Sequence, residues 1–198
     1  MAKDFWNKRY AEREYAYGTS PNAFLKEQLP QLPTGRALFP AEGEGRNAVY
    51  AASLGWEVTA FDVSEEGKKK AEKLAAEYGV SLDYRLAGYE DVELPAASFD
   101  AICLVFAHMP PDKRREWHRK LAGSLKPGGR LLLEGFHKRQ FPLASGGPKN
   151  EAMLFSKEEM LTDFEGMEIL LCEEKTVVLD EGPFHQGEAE VVRLIIKR

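Results

Sequence analysis

Cysteine and histidine are scarce in this chain, which has two cysteines and four histidines among 198 residues. Cys103 and Cys172 lie far apart in apolar stretches, and we expect both to be buried thiols in a reducing compartment. The chain has no CxxC pair, and its histidines are scattered. We therefore expect neither a disulfide framework nor a metal site.

Long hydrophobic runs and an excess of basic charge are also missing. No stretch reaches the roughly eighteen apolar residues of a membrane-spanning helix, and the opening MAKDFWNKRY has no apolar signal-peptide core. The formal net charge of −5 argues against a nucleic-acid surface. The basic runs at 68–70 and 113–115 have helical patterns typical of solvated helix faces. We expect a cytoplasmic protein with neither a membrane nor a nucleic-acid partner.

The segments that are present alternate between strand-like and helix-like patterns. With 43% hydrophobic and 30% charged residues, the composition is that of an ordinary globular domain. Alternating β and α segments predict a single doubly wound, Rossmann-like α/β domain. We expect helices on both faces of a seven-stranded, mostly parallel sheet that ends in an antiparallel C-terminal hairpin. The predicted strands are 37–41, 57–62, 81–86, 99–106, 130–136, 167–179 and 188–197, and the predicted helices are 46–54, 64–79, 112–125 and 156–164. Ser64 is the predicted N-cap of the second of these helices and Gly79 its predicted end. The segment "KPGG" is predicted to break the chain before the fifth strand.

A glycine-rich turn follows the first predicted strand, where ligands bind in open α/β sheets. Gly43 and Gly45 have the spacing of a dinucleotide site, and Asp62 would then bind a ribose. Glu42 and Glu44, however, would repel a pyrophosphate, and no Tyr-x-x-x-Lys pair is present. These features favour a nucleoside ligand that carries positive charge. An NAD(P)-dependent oxidoreductase and a turn without any ligand are the alternatives.

Four motifs, "EGEGRNAVY", "VTAFDVS", "SFDAICLVFAHMP" and "LKPGGRLLLE", together resemble class I S-adenosylmethionine-dependent methyltransferases. The opening "FWNKRYAEREYAYGTSPNAFL" is similar to the tellurite-resistance and thiopurine-type members, so the resemblance covers almost the whole chain. It implies an enzyme, a monomer or homodimer, that converts S-adenosylmethionine to S-adenosylhomocysteine while methylating a small, soft or anionic acceptor. It also implies an N-terminal helical lid over residues 1–35 and a methyltransferase domain over residues 36–198.

The resemblance places the glycine turn beneath the methionine part of the cofactor, with Glu42 near its ammonium group. Asp62 would accept hydrogen bonds from both ribose hydroxyls. Aromatic side chains of the N-terminal segment would cover the sulfonium. The residues expected to contact the cofactor are Tyr17, Gly18, Pro21, Asn22, Ala41, Glu42, Gly43, Glu44, Gly45, Asn47, Asp62, Val63, Ser64, Gly88, Tyr89, Glu90 and Phe106.

Two positions depart from the pattern of the family. Phe39 stands at the end of the first strand, where many members carry an aspartate, and Glu42 would offset this loss. Gly88 stands after the third strand, where many members carry a second aspartate, and this loss leaves adenine to backbone groups and to Tyr89 or Glu90.

Residues expected on the acceptor side are His108, Arg46, Arg139 and His185. The arginines would hold an anionic acceptor, whereas His108 is equally compatible with a structural role. His118 and Arg119 are expected at the surface. A cofactor-binding domain without catalytic activity is a further alternative.

Overall fold

The computed structural model describes residues 2–198. The helices and strands follow the predicted order, and their ends lie within a few residues of the predicted ends, with one exception in the fifth strand. They are α1 (Ala2–Tyr10), α2 (Ala23–Gln28), β1 (Arg36–Pro40), α3 (Arg46–Ser53), β2 (Glu57–Asp62), α4 (Glu65–Glu77), β3 (Asp83–Leu86), β4 (Phe99–Val105), α5 (Pro111–Ser124), β5 (Leu125–Phe136), α6 (Lys157–Asp163), β6 (Glu168–Asp180) and β7 (Gln186–Lys197).

The seven strands form one sheet in the order β3-β2-β1-β4-β5-β7-β6. The pairs β1–β2, β2–β3 and β4–β5 are parallel, whereas β7 runs antiparallel to both β5 and β6. This confirms the predicted mostly parallel sheet with an antiparallel C-terminal hairpin. None of the helices within residues 2–198 is long and apolar enough to cross a membrane.

The chain divides into two compact units. The first comprises the chain up to Glu93 together with Glu181–Phe184, and the second comprises Leu94–Asp180 and His185–Arg198. The first unit therefore contains β1 to β3, whereas the second contains β4 to β7. The predicted boundary at residue 35 stays a prediction.

In the first unit, local signals explain where the elements begin. Four of the five residues of β1 are buried, and all but the first of β2 are buried as well. The Ser64 hydroxyl accepts the Gly67 N–H at 3.1 Å and caps α4, as predicted. Glu65 and Glu66 then occupy the positive end of the helix dipole. These signals place the end of β2 beside the start of α4.

In the second unit, β4 is almost continuously buried, as expected for a central strand. Ser156 and Glu159 form a reciprocal capping box at the start of α6. The predicted break at "KPGG" is wrong in one respect, because β5 begins before it, at Leu125. The pairing steps from Phe99–Leu125 to Ala101–Arg130, so residues 126–129 form an irregularity within the strand.

The predicted burial of Cys172 and the predicted exposure of His118 are wrong, and so is the predicted solvated position of Arg114 in the basic run 113–115, since Arg114 is 8% exposed. Cys172 is partly exposed on the edge strand β6, whereas Cys103 is buried as expected. His118 is fully buried rather than at the surface, and its Nδ1 lies 2.9 Å from Asp163 Oδ2. Arg114 Nε donates to the same oxygen at 2.7 Å. A carboxylate on the neighbouring α6 thus makes a polar residue suitable for the interior, which the periodicity of α5 alone does not reveal.

Candidate cofactor site

In the turn after β1, every second residue from Ala41 to Gly45 has a left-handed backbone conformation. The φ angles of Ala41, Gly43 and Gly45 are 51°, 61° and 88°. Glycine adopts this conformation without steric cost, but alanine does not. The turn therefore has one strained position, Ala41, at the end of β1.

Gly43 is fixed on three sides. Its N–H donates to Asp62 Oδ2 at 3.1 Å, and its carbonyl accepts the Tyr84 hydroxyl at 2.5 Å. A Cβ at this position would lie 2.5 Å from the Tyr10 hydroxyl oxygen, so only glycine fits. A Cβ on Gly45 would likewise lie 2.5 Å from the Ala71 Cβ. Both glycines are required by close packing as well as by φ.

Glu42 caps the helix that follows the turn. Its Oε1 accepts the N–H groups of Asn47 at 2.9 Å and Ala48 at 2.8 Å, in the first turn of α3. Burial raises the pKa of Glu42 to about 7, although these hydrogen bonds oppose the rise. In a dinucleotide site the pyrophosphate occupies such a helix start. Here the protein's own carboxylate occupies it, which argues against a dinucleotide.

Glu44 is engaged by the protein instead of facing a ligand with both oxygens free. Lys70 Nζ donates to Oε1 and the Ala16 N–H donates to Oε2, both at 2.7 Å. Burial is the main cause that raises the pKa of Glu44. The prediction that Lys70 lies on a solvated face is wrong, since 15% of its side chain is exposed. The positive charge that Glu44 favours comes, at least in part, from α4.

Asp62 ends β2 with 6% of its surface exposed. Its Oδ1 accepts the Ser64 N–H at 2.8 Å, while Oδ2 accepts the Gly43 N–H. Burial raises the pKa of Asp62 to about 6, against the lowering effect of these backbone donors. The Val63 N–H also bonds to this carboxylate, so three backbone donors occupy a group that has about four acceptor positions. The carboxylate keeps capacity for a further donor such as a hydroxyl of a ribose.

The turn after β3 contains an acid that the sequence analysis missed. Tyr89 packs its ring against Phe61 at 5.3 Å between centroids, and Glu90 is exposed. A Cβ on Gly88 would lie 3.4 Å from Val63 Cγ1 and 3.6 Å from Asp91 Oδ2. The exposed Asp91 carboxylate therefore lies beside Gly88, which is also close to Val63. The sequence offered one signal for this acid, because Asp91 lies three residues after Gly88, the position where many family members carry an aspartate.

Three N-terminal residues that are predicted to contact the cofactor, Tyr17, Gly18 and Asn22, lie against the connection 181–184 between β6 and β7. Tyr17 makes edge contacts with Tyr10 and Phe184, with centroids 6.5 Å and 6.3 Å apart. Gly18 lies 3.5 Å, measured from its Cβ position, from the Gly182 nitrogen. Asn22 is buried and hydrogen-bonded to Glu181, whereas Pro21 lines a small cavity next to α3.

Neither predicted arginine presents an uncommitted guanidinium. Arg46 is buried and pairs with Glu181 at 2.8 Å. Arg139 is half exposed and lies between Glu174 and Glu190, at 2.9 Å and 3.0 Å. Hence the structure gives both arginines protein partners, which sequence spacing could not show because the partners are distant in the chain.

In the second unit, His108 is held by backbone groups on both ring nitrogens. Nδ1 lies 2.9 Å from the Met153 carbonyl oxygen, and Nε2 accepts the Phe136 N–H at 3.1 Å. Burial lowers the pKa of His108 to about 4. Its ring also stacks on Phe155, with centroids 4.5 Å apart. Both nitrogens of this neutral imidazole are therefore engaged by backbone groups of the protein.

His185, also in the second unit, lies in an aromatic cluster. It is buried and makes edge contacts with Phe106 at 4.6 Å and Phe136 at 5.2 Å between centroids. Phe106 follows β4 with a φ of 50°, a rare conformation for an aromatic residue. Strained residues of this kind cluster at functional sites. Phe106 and His185 are therefore brought together, whereas Arg139 and Arg46 are engaged elsewhere.

The glycine turn, Asp62 and the strand β4 all lie in one region that resembles known proteins. Residues 40–129 match the sequence family described as "Methyltransferase domain". A little under half of the chain thus matches a methyltransferase domain. This confirms the resemblance found in the sequence.

Two relatives show what the methyltransferase domain is similar to. "Ubiquinone biosynthesis O-methyltransferase" of Xanthomonas axonopodis pv. citri is 37% identical over 130 residues, which cover 63% of this chain and 54% of that protein. "Thiocyanate methyltransferase 1" of Brassica oleracea is 30% identical over 161 residues, covering 77% and 64%. The chain thus spans just over half of the length of the first of these and somewhat more of the second.

Two solved structures share the fold of the methyltransferase domain. TehB from Haemophilus influenzae matches with a TM-score of 0.72 and 14% identity, over 99% of this chain and 66% of that chain. The Burkholderia thailandensis 1,6-didemethyltoxoflavin-N1-methyltransferase matches with a TM-score of 0.66 and 18% identity, over 100% and 82%. The latter structure contains bound S-adenosylhomocysteine.

Proposed function

We propose that the protein is an S-adenosylmethionine-dependent methyltransferase that acts on a small, soft acceptor such as a thiol or a soft anion. The observation that carries the proposal is the buried Asp62 carboxylate, which retains acceptor capacity beside the Gly43 turn. Both lie within the region that matches the methyltransferase family. The occupied start of α3 supports a nucleoside cation over NAD(P).

On the donor side, Asp62 would hold the ribose hydroxyls and the Gly43 turn would let the backbone approach the methionine part. Asp91 is a candidate to accept a hydrogen bond from the adenine amino group, because it lies beside Gly88. The N-terminal lid over residues 1–35 would exclude water. The cofactor supplies an electrophilic methyl group on a sulfonium.

On the acceptor side, alignment of the nucleophile supplies most of the acceleration, because the displacement is in line at carbon. A soft nucleophile that is already ionised needs no general base. His108 does not offer one, since both of its ring nitrogens are bonded to backbone. Phe106 and His185 are our acceptor-side candidates, on account of the strained φ and the aromatic cluster. An apolar wall would keep water from a soft anion.

The names of the relatives support two acceptor classes. A thiocyanate methyltransferase and a probable thiol methyltransferase of Arabidopsis thaliana favour a sulfur nucleophile. The ubiquinone-pathway relatives favour an oxygen nucleophile, which is our second candidate. An alcohol would require a base, whereas a thiol would not, and this difference favours sulfur here.

Two experiments test the proposal. Calorimetric titration with S-adenosylmethionine and, separately, with NAD should give binding of the first and none of the second. Transfer of a labelled methyl group to thiols, thiocyanate, selenite, tellurite and a catechol should give product with a sulfur acceptor. Binding of NAD alone would overturn the proposal. Cofactor binding without transfer to any acceptor would favour a non-catalytic binding domain.

A further inference from the structure

A single acid on the connection between β6 and β7 bonds to two parts of the first unit. Glu181 Oε2 accepts from Arg46 NH2 at 2.8 Å, and Oε1 accepts from Asn22 Nδ2 at 3.1 Å. Arg46 NH1 also donates to the Ser20 carbonyl at 3.4 Å. The side chains of Arg46 and Glu181 are only 8% and 11% exposed, so this ion pair is well shielded from water.

The bonds continue from Glu181 to the glycine turn. The Asn22 N–H donates to Asn47 Oδ1 at 2.9 Å, and the Asn22 side-chain oxygen accepts the Leu25 N–H at 3.0 Å, which caps α2. The Asn47 N–H in turn donates to Glu42. A continuous series of polar contacts therefore runs from Glu181 through the N-terminal segment to Glu42, in the turn itself.

Close backbone packing accompanies these bonds. A Cβ on Gly182 would lie 2.4 Å from the Gly18 nitrogen and 2.7 Å from the Tyr17 carbonyl carbon. The Phe184 N–H donates to the Ala16 carbonyl at 3.3 Å, while the Ala16 N–H donates to Glu44. The segment 16–22 thus contacts the connection 181–184 on one side, and Glu44 of the turn and Asn47 of α3 on the other.

We propose that Glu181 is a positioning residue for cofactor binding: it holds Arg46 and Asn22 so that the segment 16–22 stays closed against the glycine turn. The proposal rests on the proposed function, since it assigns the closed segment to the cofactor site. Removing one partner of a shielded ion pair leaves the other charge buried and unpaired. Loss of the Glu181 charge would therefore release Arg46 together with the segment that it holds.

Two variants disturb the packing of the connection 181–184 against the segment 16–22 by different means. Glu181→Gln keeps the shape of the side chain but removes its charge, and Gly182→Ala introduces the clash with Gly18 and Tyr17. In both we expect the Kd for S-adenosylhomocysteine to rise at least tenfold, mostly through faster dissociation. The KM for S-adenosylmethionine should rise similarly while kcat changes less than about threefold. Partial unfolding would instead lower kcat and leave KM unchanged.

Matched controls lie a few residues away on β7. Glu188→Gln makes the same chemical change at an exposed position. Gly187→Ala places a side chain at a φ of 98° where no atom lies within 4 Å, so it introduces backbone strain without a clash. Both controls should bind the cofactor like the parent protein. Equal weakening in Glu181→Gln and Glu188→Gln would overturn the proposal.

Hydrogen exchange separates this inference from the proposed function. In the protein without ligand, Glu181→Gln should speed the exchange of the amides of residues 16–22 at least tenfold, and by a larger factor than the amides of the buried strand β2, which report the global loss of stability caused by the unpaired Arg46. If the parent protein fails to bind S-adenosylmethionine, the proposed function fails, and so does the assignment of Glu181 to cofactor binding, whatever the exchange rates show. If the parent binds and Glu181→Gln binds equally with unchanged exchange, only the inference about Glu181 fails.

Discussion

The glycine turn of the first unit and the aromatic cluster of the second unit use polar groups in opposite ways. Around the turn, three carboxylates, Glu42, Glu44 and Asp62, fix backbone N–H groups, and burial raises the pKa of each. The cluster of Phe106, Phe136 and His185 also includes His108, whose ring stacks on Phe136 at 5.7 Å between centroids. The imidazole of His108 bonds to backbone, and burial lowers its pKa to about 4. In each region, burial thus disfavours the charged form of the titratable groups. Because these groups are acids in one region and a histidine in the other, their contributions to the free energy of unfolding change with pH in opposite directions.

The largest expected effect concerns the ion pair that anchors the turn. Lys70→Met leaves the Glu44 carboxylate, whose side chain is 4% exposed, without its cation. We expect a loss of about 3 kcal/mol in the free energy of unfolding, measured by urea denaturation. The neighbouring Lys69, which is exposed, provides the control, and Lys69→Met should leave the urea midpoint unchanged. Equal midpoints for both variants would contradict the role given to Lys70.

The opposite pH responses can be separated with one substitution. The folded pKa of Glu42, about 7, lies above its ordinary value of 4.5, so its stabilising contribution is complete below about pH 4.5 and is lost as the pH rises through 7. Glu42→Gln keeps an acceptor for α3 without titrating. Between pH 5 and pH 8, we expect the free energy of unfolding of this variant to fall by about 2 kcal/mol less than that of the parent, measured by urea denaturation.

The contribution of His108 has the reverse sign. Its folded pKa of about 4 lies below the ordinary 6.5, so its contribution is complete above 6.5 and is lost as the pH falls through 4. Glu42→Gln should therefore retain the loss of stability on the acid side. If the free energy of unfolding of Glu42→Gln does not change with pH on either the acid or the basic side, the two regions do not titrate independently.

A smaller effect is expected for the proposed ribose ligand. Asp62→Ala removes charge-assisted hydrogen bonds, and we expect the affinity for S-adenosylmethionine to fall more than tenfold, which is about 1.4 kcal/mol or more. Asp83→Ala changes an exposed acid on the neighbouring strand β3 and should leave the affinity unchanged. Calorimetry of both variants measures the difference. Unchanged affinity in Asp62→Ala would show that Asp62 is not the ribose ligand.

The smallest expected effect concerns the strained alanine of the turn. Ala41→Gly relieves a φ of 51° but increases the freedom of the unfolded chain, and we expect a net stabilisation of about 0.5 kcal/mol. Ala48→Gly, in the helix α3, should instead destabilise by about 1 kcal/mol. Thermal denaturation distinguishes the signs. Destabilisation in Ala41→Gly would show that the methyl group contributes packing that outweighs the strain.

The fold could be predicted from the sequence because its signals are local. Caps such as Ser64, glycine breaks and the continuous apolar run of β4 determine where elements begin and end. The irregularity at residues 126–129 was missed because Pro and Gly usually end a strand, whereas here the strand resumes after it in a shifted register.

The site could be predicted only where its members lie close together in the chain. The turn and Asp62 were identified as candidates in this way. The partners of Arg46 and Glu44 could not be, since they depend on contacts between residues 135 and 26 positions apart. His108 and His118 show the same limit, because a buried histidine and a catalytic one have the same sequence signal until their hydrogen-bond partners are known.

The Arg46–Glu181 pair also has a consequence for biosynthesis. A ribosome produces Arg46 long before Glu181, and the chain between them includes β2 to β6. Until Glu181 emerges, the nascent N-terminal half has a guanidinium for which it lacks the final carboxylate partner. This half is therefore expected to acquire its native packing late in translation, when nearly the whole chain has been made.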